Sequence, residues 1–266
     1  MGWNASAALG GTREVRNAIT TRAVRVSLFI TCLADQVFPE VGVSMVRVLR
    51  RLGCEVRFNE QQSCCGQPQH NAGFEPEARR VARSLLDAFD GNDPVVTPSG
   101  SCAAMLRHAY PTLFAHDAEE LLRARHLALR TFEFSQFLVN VLGIEDVGAT
   151  LERTATYHPS CHASRLIGVG SEPLRLLGKV RGLELRPLEN SQDCCGFGGL
   201  FCVKLPAISS AMTDEKAAHV SATGAEVLVG SDLGCLMNIA GHMRMRGAKV
   251  EALHLSQVLD SGHAKR

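Results

Sequence analysis

The sequence predicts an α/β fold made of two tandem pseudo-repeats, each a small parallel sheet with flanking helices. Short β-rich runs alternate with longer helical patterns along the 266 residues, which is typical of proteins with parallel sheets. Four cysteines of the first half also recur in the same order in the second half. Because their offset drifts only from 129 residues (161 − 32) to 133 residues (235 − 102), the pattern indicates a duplicated unit.

The first repeat, which we place at 24–146, contains three predicted strands and two predicted helices. The apolar run at its start predicts a buried strand, and the first helical pattern ends at a glycine, a common helix terminus. The second helical pattern carries Pro76 near its first turn, where proline is favoured. In chain order we predict a strand at 24–32, a helix at 41–53, a strand at 54–60, a helix at 75–89 and a strand at 94–102.

The second repeat, which we place at 147–266, contains the same series of elements. We predict a strand at 153–161, a helix around 172–180, a strand at 183–189, a helix around 207–220 and a strand at 225–235. Residues 1–23 precede the first repeat and lack such a pattern. They are predicted to be a flexible leader, or to be residues added by a start codon assigned too early.

Composition excludes several classes of function. The net charge is +1, from 28 basic and 27 acidic residues, so the chain has no field that would attract nucleic acid or an anionic membrane. Aromatic residues make up 5%, too few for platforms that stack bases. No apolar run approaches the roughly 20 residues of a membrane span, and the N-terminus does not resemble a secretion signal. We therefore expect a cytoplasmic protein whose ten cysteines stay reduced and serve metal or redox chemistry.

Two pairs of adjacent cysteines stand out, in "SCCG" (63–66) and "DCCG" (193–196). A disulfide between neighbours would be strained, because consecutive Cα atoms lie about 3.8 Å apart and a disulfide needs roughly 4.4–6.8 Å. Two thiolates directed at one soft metal centre are a better explanation. The glycine after each pair lets the backbone approach that centre closely.

The cysteines of both sets fall just after predicted strands, where the next helix begins. Loops at the carboxyl ends of parallel strands meet at one edge of the sheet and commonly build its binding site. Helix N-termini at that edge also stabilise thiolates. We therefore predict two metal sites, whose ligands are Cys32, Cys64, Cys65 and Cys102 in the first repeat and Cys161, Cys194, Cys195 and Cys235 in the second.

Four thiolates at one point bind zinc or an iron–sulfur cluster. Structural zinc sites usually contain short C-x₂₋₄-C pairs, and a single zinc would hold its four sulfurs within about 3.8 Å of one another. Two adjacent cysteines meet that requirement only with awkward backbone geometry, whereas they reach two different irons of a larger cluster. The pattern favours iron–sulfur clusters, and zinc at one of the sites stays open as an alternative. Cys54 and Cys202 have no counterparts, and we expect them to be small buried residues.

The repeated C…CCG…C pattern resembles the "CCG" domain in the cysteine-rich component of heterodisulfide reductase. Five blocks are most similar to the bacterial lactate-utilisation protein A group: "CCGQPQHNAGFEPEARRVA", "PSGSCAAMLRHAYP", "YHPSCHASR", "CCGFGGLFCVK" and "GCLMNIAGHMRMRG". The resemblance runs from about Val24 to Leu259. It implies a two-repeat α/β fold, two [4Fe–4S] clusters, and a cytoplasmic protein that oxidises L-lactate together with partner subunits, including one of the ferredoxin type.

One difference from the heterodisulfide reductase component matters for chemistry. Each of its cysteine sets closes with C-x-x-C, giving five cysteines and an unusual non-cubane cluster. In this chain Ser99 and Asp232 replace the first of those closing cysteines. Four cysteines per site suffice for an ordinary cubane, so this difference favours electron transfer over thiol or disulfide reduction.

Several other residues near the cysteines have two explanations each. His158, His162 and Arg165 surround Cys161. They could donate to a cluster sulfur or hold a substrate carboxylate, or they could be ordinary loop and surface residues. Lys204 could face an anionic substrate or only water.

No catalytic residue is predicted. His254 lies in an apolar pattern and is expected to be a hydrogen-bonded core residue. The glycine-rich stretches at 168–173 and 196–201 do not complete a dinucleotide-binding loop. The leading hypothesis is therefore an iron–sulfur electron-transfer subunit of a lactate-oxidising complex. A zinc-stabilised scaffold without redox function and a thiol or disulfide reductase subunit are the alternatives.

Overall fold

We analysed a computed structural model, which describes residues 23–263. The predicted leader at 1–23 lies almost entirely outside the described residues. None of the helices within 23–263 combines the length and the apolar character that a bilayer crossing requires.

The first repeat contains four strands, and a helix follows each of the first, third and fourth directly. The strands are β1 (Arg25–Leu28), β2 (Glu55–Phe58), β3 (Val95–Thr97) and β4 (Thr131–Glu133). The helices are α1 (Cys32–Gln36), α2 (Pro39–Arg51), α3 (Gln67–Asn71), α4 (Glu75–Ala88), α5 (Gly100–Ala104), α6 (Tyr110–Leu113), α7 (Ala118–Leu129) and α8 (Phe134–Gln136). Two π-helical turns extend α5 and α8, at Met105–Ala109 and Phe137–Val141.

The second repeat has the same plan. Its strands are β5 (Thr150–His158), β6 (Arg181–Leu185), β7 (Val227–Gly230) and β8 (Glu251–His254). Its helices are α9 (Cys161–Arg165), α10 (Glu172–Leu177), α11 (Phe201–Lys204), α12 (Pro206–Ala222), α13 (Leu233–Met245) and α14 (Leu255–Leu259).

The strands form two separate parallel sheets with the same order, β2-β1-β3-β4 and β6-β5-β7-β8. In the first, Val26 lies opposite Val56, and in the second, Thr156 lies opposite Leu228. Two parallel four-stranded sheets with flanking helices confirm the predicted fold class.

The fourth strand of each sheet, β4 and β8, was not predicted from the sequence. These strands have three and four residues and continue directly into the following helix, without the turn residues that usually bound a predicted strand. β4 is followed at once by "FSQFL", which forms α8 and the start of its π-helical turn, and β8 by the similar "LSQVL", which forms α14. The predicted strands at 24–32 and 225–235 are also shorter than expected, because their last residues already belong to the following loop and helix.

A continuous apolar core joins the two repeats. Alternate residues of β1 and of β7, such as Val26, Leu28, Val227 and Val229, belong to one buried cluster. That cluster also contains the inner faces of α2, α8, α10 and α14, which pack against one another between the sheets. The opposite face of the first sheet is covered mainly by α4 and α7, and that of the second by α12 and α13.

Polar contacts between the repeats supplement this core. Arg51 of α2 donates to the carboxylate of Asp260 at 3.1 Å and to the carbonyl of Leu259 at 2.9 Å. The Ser256 hydroxyl donates to the carbonyl of Val41 at 3.1 Å. These contacts fix the C-terminal helix of the second repeat against the second helix of the first.

A second inter-repeat contact places α5 against α9. A Cβ added to Gly100 would lie 3.0 Å from the Cα of Ala163 and even closer to its Cβ. We expect Gly100→Ala to force the repeats apart locally and to lower the free energy of unfolding by about 1–3 kcal/mol, as overpacking of a tight contact does. Gly91→Ala is the control, because no atom lies within 4 Å of its added Cβ. Equal chemical-denaturation midpoints for the two variants would contradict this close approach.

Candidate metal centre

Every predicted ligand lies in a segment that follows a strand. Cys32 begins α1 after β1, and Cys161 begins α9 after β5. Cys102 lies in the first turn of α5, after β3, and Cys235 in that of α13, after β7. The adjacent pairs lie in the loops after β2 and β6. The parallel topology thus carries all these segments to the carboxyl edges of the two sheets.

The glycine of each "CCG" stretch closes a tight turn. Gly66 and Gly196 have φ angles of 81° and 80°, in the left-handed region that favours glycine. In each turn the glycine N–H donates to the first cysteine of the pair, with 3.4 Å from nitrogen to the sulfur of Cys64 or Cys194. The glycine therefore supplies both the turn and a donor to one sulfur.

The structure brings the first four cysteines together. Cys65 and Cys102 are buried, and their sulfur atoms lie 3.4 Å apart. Hydrogen bonds with Cys32 and Cys65 lower the pKa of Cys64 to about 2, so both of their sulfurs lie within hydrogen-bonding distance of the Cys64 sulfur. Cys32 is the most exposed member of this first quartet.

The second four cysteines form an equivalent group. Hydrogen bonds from Cys161 and Cys195 lower the pKa of Cys194 to about 2. Hydrogen bonds with Cys194 and Cys235 in turn raise the pKa of buried Cys195. The second quartet therefore repeats the arrangement of the first.

His158 is an additional residue of the second quartet. Its ring nitrogen lies within 4.8 Å of the sulfurs of Cys195 and Cys235. The side chain is buried, and neither ring nitrogen has a hydrogen-bond partner among residues 23–263. Burial lowers the pKa of His158 to about 4, so the imidazole is neutral at pH 7.

Both quartets line a single cavity of about 300 Å³, between the two repeats. All eight predicted ligands contribute to its wall, together with polar side chains such as Gln67, Asn71 and His162. Leu33, Leu233 and Phe197 supply apolar surface. Two sites were predicted from the sequence, but no pattern in it indicated that they face a common space.

Asp232 connects the two repeats inside this cavity. One carboxylate oxygen accepts the backbone N–H of Ser101 at 2.9 Å and the hydroxyl of Ser160 at 3.3 Å. The Ser99 hydroxyl lies 3.5 Å from the same oxygen. The two residues that replace the fifth cysteines of the heterodisulfide reductase pattern therefore meet each other between the quartets.

The remaining residues singled out in the sequence have varied positions. His162 lines the cavity, with its ring 3.6 Å from the sulfur of Cys161. Arg165 is exposed and donates to the carbonyl of Gln192, and Lys204 is exposed on α11. Neither Arg165 nor Lys204 contributes to the cavity wall.

Three further residues were expected to be buried without a role at the metal sites. Cys54 is buried in the core, as expected, whereas Cys202 is only half-buried and donates to the carbonyl of Gly199. His254 is a hydrogen-bonded core residue, as predicted. Its ring nitrogens lie 2.9 Å from the Ser256 hydroxyl and 2.8 Å from the carbonyl of Pro98.

The side chains that donate hydrogen bonds to the carbonyl of the second cysteine in each pair differ between the repeats. In the first, the buried Tyr110 hydroxyl donates to the carbonyl of Cys65 at 3.0 Å. In the second, Asn238 and Thr213 donate to the carbonyl of Cys195 at 2.9 Å and 3.1 Å. Sequence reasoning missed these donors, because they lie on helices distant in the chain and carry no motif of their own.

Comparisons with known proteins agree with this architecture. The model of the cysteine-rich domain called CCG matches the chain twice, at residues 26–107 and 155–240. Lactate utilization protein A of Shouchella clausii is 52% identical over 238 residues, which is 90% of this chain and 99% of that protein. Lactate utilization protein A 2 of Bacillus cereus is 48% identical over 242 residues, which is 91% of this chain and 100% of that protein.

A solved structure of a hypothetical protein from Helicobacter pylori has a TM-score of 0.60 at 10% identity. The match covers 91% of this chain and 49% of the other, so the chain spans about half of that structure. This likeness shows the fold alone. The two matches to the family model and the two relatives aligned over nearly their whole length give a firmer result: the chain belongs to the CCG cysteine-rich domain family, among the proteins called lactate utilization protein A.

Proposed function

We propose that this chain is an iron–sulfur electron-transfer subunit of a cytoplasmic complex that oxidises L-lactate. The names of its relatives support the role in lactate utilisation. The observation that carries the electron-transfer proposal is the shared cavity, because eight cysteine thiols in two quartets line about 300 Å³ of space. Two single metal ions would occupy only a small part of that volume. For comparison, one water molecule in the liquid occupies about 30 Å³.

The donors in each quartet fit a cubane cluster. All ten cysteines lie among the described residues, and none of them forms a disulfide. Four cysteine thiolates are the usual ligand set of a [4Fe–4S] cluster, which supplies a centre that accepts and releases one electron. The buried nitrogens of His158 have no hydrogen-bond partner among the described residues and lie beside Cys195 and Cys235, which is consistent with a group bound at the second quartet.

The individual cysteines would hold the clusters from different sides. Cys65 and Cys195 are buried and would fix each cluster from the protein interior. Cys32 is exposed, so the first quartet reaches the protein surface, where a partner subunit has access to it. Within each repeat, the turn at Gly66 or Gly196 adds an N–H donor to one ligand sulfur.

The need for partner subunits is inferred from the two-electron step of lactate oxidation, for which this sequence shows no cofactor-binding motif. Lactate oxidation removes two electrons and is normally carried out on a cofactor such as flavin or nicotinamide. The glycine-rich stretches of this sequence do not form a dinucleotide-binding loop. We therefore infer that other subunits carry out that step and that one of them is a ferredoxin-type iron–sulfur protein.

We further propose the repeat boundary at residues 146/147, between the end of the π-helical turn at Val141 and the start of β5.

Zinc is the second candidate, and one distance favours it. The sulfurs of Cys65 and Cys102 lie 3.4 Å apart, near the roughly 3.8 Å that tetrahedral zinc imposes on its ligands. In the second repeat, His158, Cys195 and Cys235 could furnish three ligands of a mixed zinc site. A protein with zinc in both quartets would be a scaffold without redox function.

A thiol or disulfide reductase is less well supported. Such chemistry would require an unusual cluster with a fifth cysteine ligand, and Ser99 and Asp232 stand at those positions. The side chains of Ser99 and Asp232 take part in the hydrogen bonds between the repeats, so their role at these positions is structural.

Activity measurements test this division of labour. The purified chain is expected not to oxidise lactate with an artificial electron acceptor, and addition of its partner subunits is expected to restore turnover. A complex that contains Cys65→Ser or Cys195→Ser should assemble but pass electrons at least about tenfold more slowly, because one cluster site is damaged. The matched control is Cys54→Ser, which alters a buried cysteine outside the quartets. Lactate oxidation by the isolated chain would overturn the proposal and direct attention to the loop with His158, His162 and Arg165.

A further inference from the structure

The two quartets have different surroundings at equivalent positions. Phe29 and His158 each lie three residues before the first cysteine of their quartet, Cys32 and Cys161. Both side chains are buried, with 0% and 2% exposure. The first repeat therefore presents a hydrocarbon ring at a position where the second presents an imidazole.

The environment of Phe29 is apolar. It packs edge-on against Phe89, with 5.7 Å between ring centroids, in the core beneath the first sheet. A phenylalanine ring has no N–H or O–H group to offer a sulfur atom. The first quartet therefore receives no hydrogen bond from this position.

The environment of His158 leaves its imidazole without a partner in the protein. Neither ring nitrogen is hydrogen-bonded among residues 23–263, although buried polar groups are nearly always paired. The sulfurs of Cys195 and Cys235 are within 4.8 Å of the ring nitrogen. A neutral imidazole has one N–H donor and one acceptor, so it can donate to a metal-bound thiolate without any change of protonation.

The charged groups near the second quartet do not supply a hydrogen bond to its sulfurs in place of His158. Lys216 is buried near the second quartet, and its ammonium group donates to the carbonyls of Asn190 at 2.6 Å and Ser191 at 3.3 Å. The carboxylate of Asp193, on the same loop, offsets part of that charge. Since these opposite charges act together at a distance, the direct N–H donor is the clearest difference between the quartets.

From this geometry we infer that, when a cluster is bound, the single N–H of His158 donates to the ligand sulfur of Cys195 or of Cys235 and thereby raises the reduction potential of the second site. Hydrogen bonds to ligand sulfur stabilise the reduced, more negatively charged state of an iron–sulfur cluster. His158 thus acts as a positioning and tuning residue, whereas Phe29 leaves the first site without this stabilisation. The inference rests on the proposed function, because it requires a redox-active cluster at the second quartet.

The test uses the full chain with one site disabled. In a background of Cys64→Ala and Cys65→Ala, only the second quartet remains complete, and its midpoint potential is measured by redox titration followed by electron paramagnetic resonance. His158→Phe is expected to lower the potential by an amount equal to at least a tenfold change in the reduction equilibrium, about 59 mV for one electron. His158→Asn, which keeps an N–H donor, is expected to recover part of that shift.

The first site provides the matched control. In a background of Cys194→Ala and Cys195→Ala, Phe29→Leu exchanges one apolar side chain for another and is expected to leave the potential unchanged. If His158→Phe folds, retains its iron and titrates at the wild-type potential, the inference is wrong while the proposed function stands. If His158→Phe loses its iron and the wild type shows strong nitrogen hyperfine coupling, His158 is a ligand and the donor assignment is overturned. If neither background binds iron, both the inference and the proposed function fail.

Discussion

Replacement of Cys65 by alanine is expected to remove about half of the iron bound by anaerobically prepared protein, about four of eight irons per chain. Cys65 is buried at the centre of the first quartet, next to Cys102 and Cys64, so a cluster at that quartet would lose an interior ligand. The same substitution at Cys195 is expected to remove the other half. The double substitution should yield a nearly colourless protein.

The control is Cys54→Ala, which removes a thiol of similar burial that lies in the core outside both quartets. It is expected to retain the full iron content and the wild-type visible absorption spectrum. Iron content that falls equally in Cys54→Ala and Cys65→Ala would indicate a general loss of folding. Full iron content in Cys65→Ala would contradict the assignment of that residue as a ligand.

A second large effect is expected from Glu133, whose carboxylate is fully buried at the end of β4. One of its oxygens accepts the backbone N–H groups of Ser135 at 2.9 Å and Gln136 at 3.2 Å, and the other oxygen has no partner among the described residues. Burial raises the pKa of Glu133 from 4.5 to about 7. Its equivalent in the second repeat is His254, which caps α14 in the same way.

The pH dependence of stability follows from this raised pKa. Between pH 4.5 and 7 the folded protein holds a proton on Glu133 that the unfolded chain has lost, so the free energy of unfolding falls as the pH rises. Between pH 5 and 8 the wild type is expected to lose about 2–3 kcal/mol from this group alone, since one pKa unit corresponds to about 1.4 kcal/mol. Glu133→Gln keeps the capping carbonyl oxygen and should lack this loss.

Urea denaturation at pH 5 and pH 8 gives the change in the free energy of unfolding between the two pH values. The contribution of Glu133 is the difference in that change between the wild type and Glu133→Gln, because the other titrating groups contribute equally to both proteins. The exposed Glu60→Gln substitution serves as the control and should follow the wild type at both pH values. If Glu133→Gln also follows the wild type, Glu133 does not titrate in this window.

The features that could be predicted from the sequence were those that recur along the chain. The matched cysteines indicated both the duplication and the membership of each quartet, because thiols are rare enough for their order to be distinctive. The α/β class followed from the alternation of patterns, since β7 is apolar throughout, β1 has buried apolar residues at alternate positions, and α2 and α4 are amphipathic.

Features that depend on contacts between distant segments could not be predicted. The shared cavity depends on how α5 packs against α9, and nothing near Gly100 in the sequence identifies Ala163 as its neighbour. The carboxylate of Asp232 was noted only as a replacement for cysteine, and its bonds to Ser101 and Ser160 emerge from the fold. The strands β4 and β8 were not predicted because they continue directly into α8 and α14 without a turn, so only their pairing with β3 and β7 identifies them as strands.

Metal and sulfide analysis of anaerobically purified protein is the most direct test of whether the two quartets hold iron–sulfur clusters. We expect a brown protein with about four irons and four acid-labile sulfides for each of the two cysteine quartets. Mössbauer spectroscopy of the same sample should show the irons in cubane clusters. A colourless protein with stoichiometric zinc and no sulfide would contradict the electron-transfer proposal and favour the scaffold.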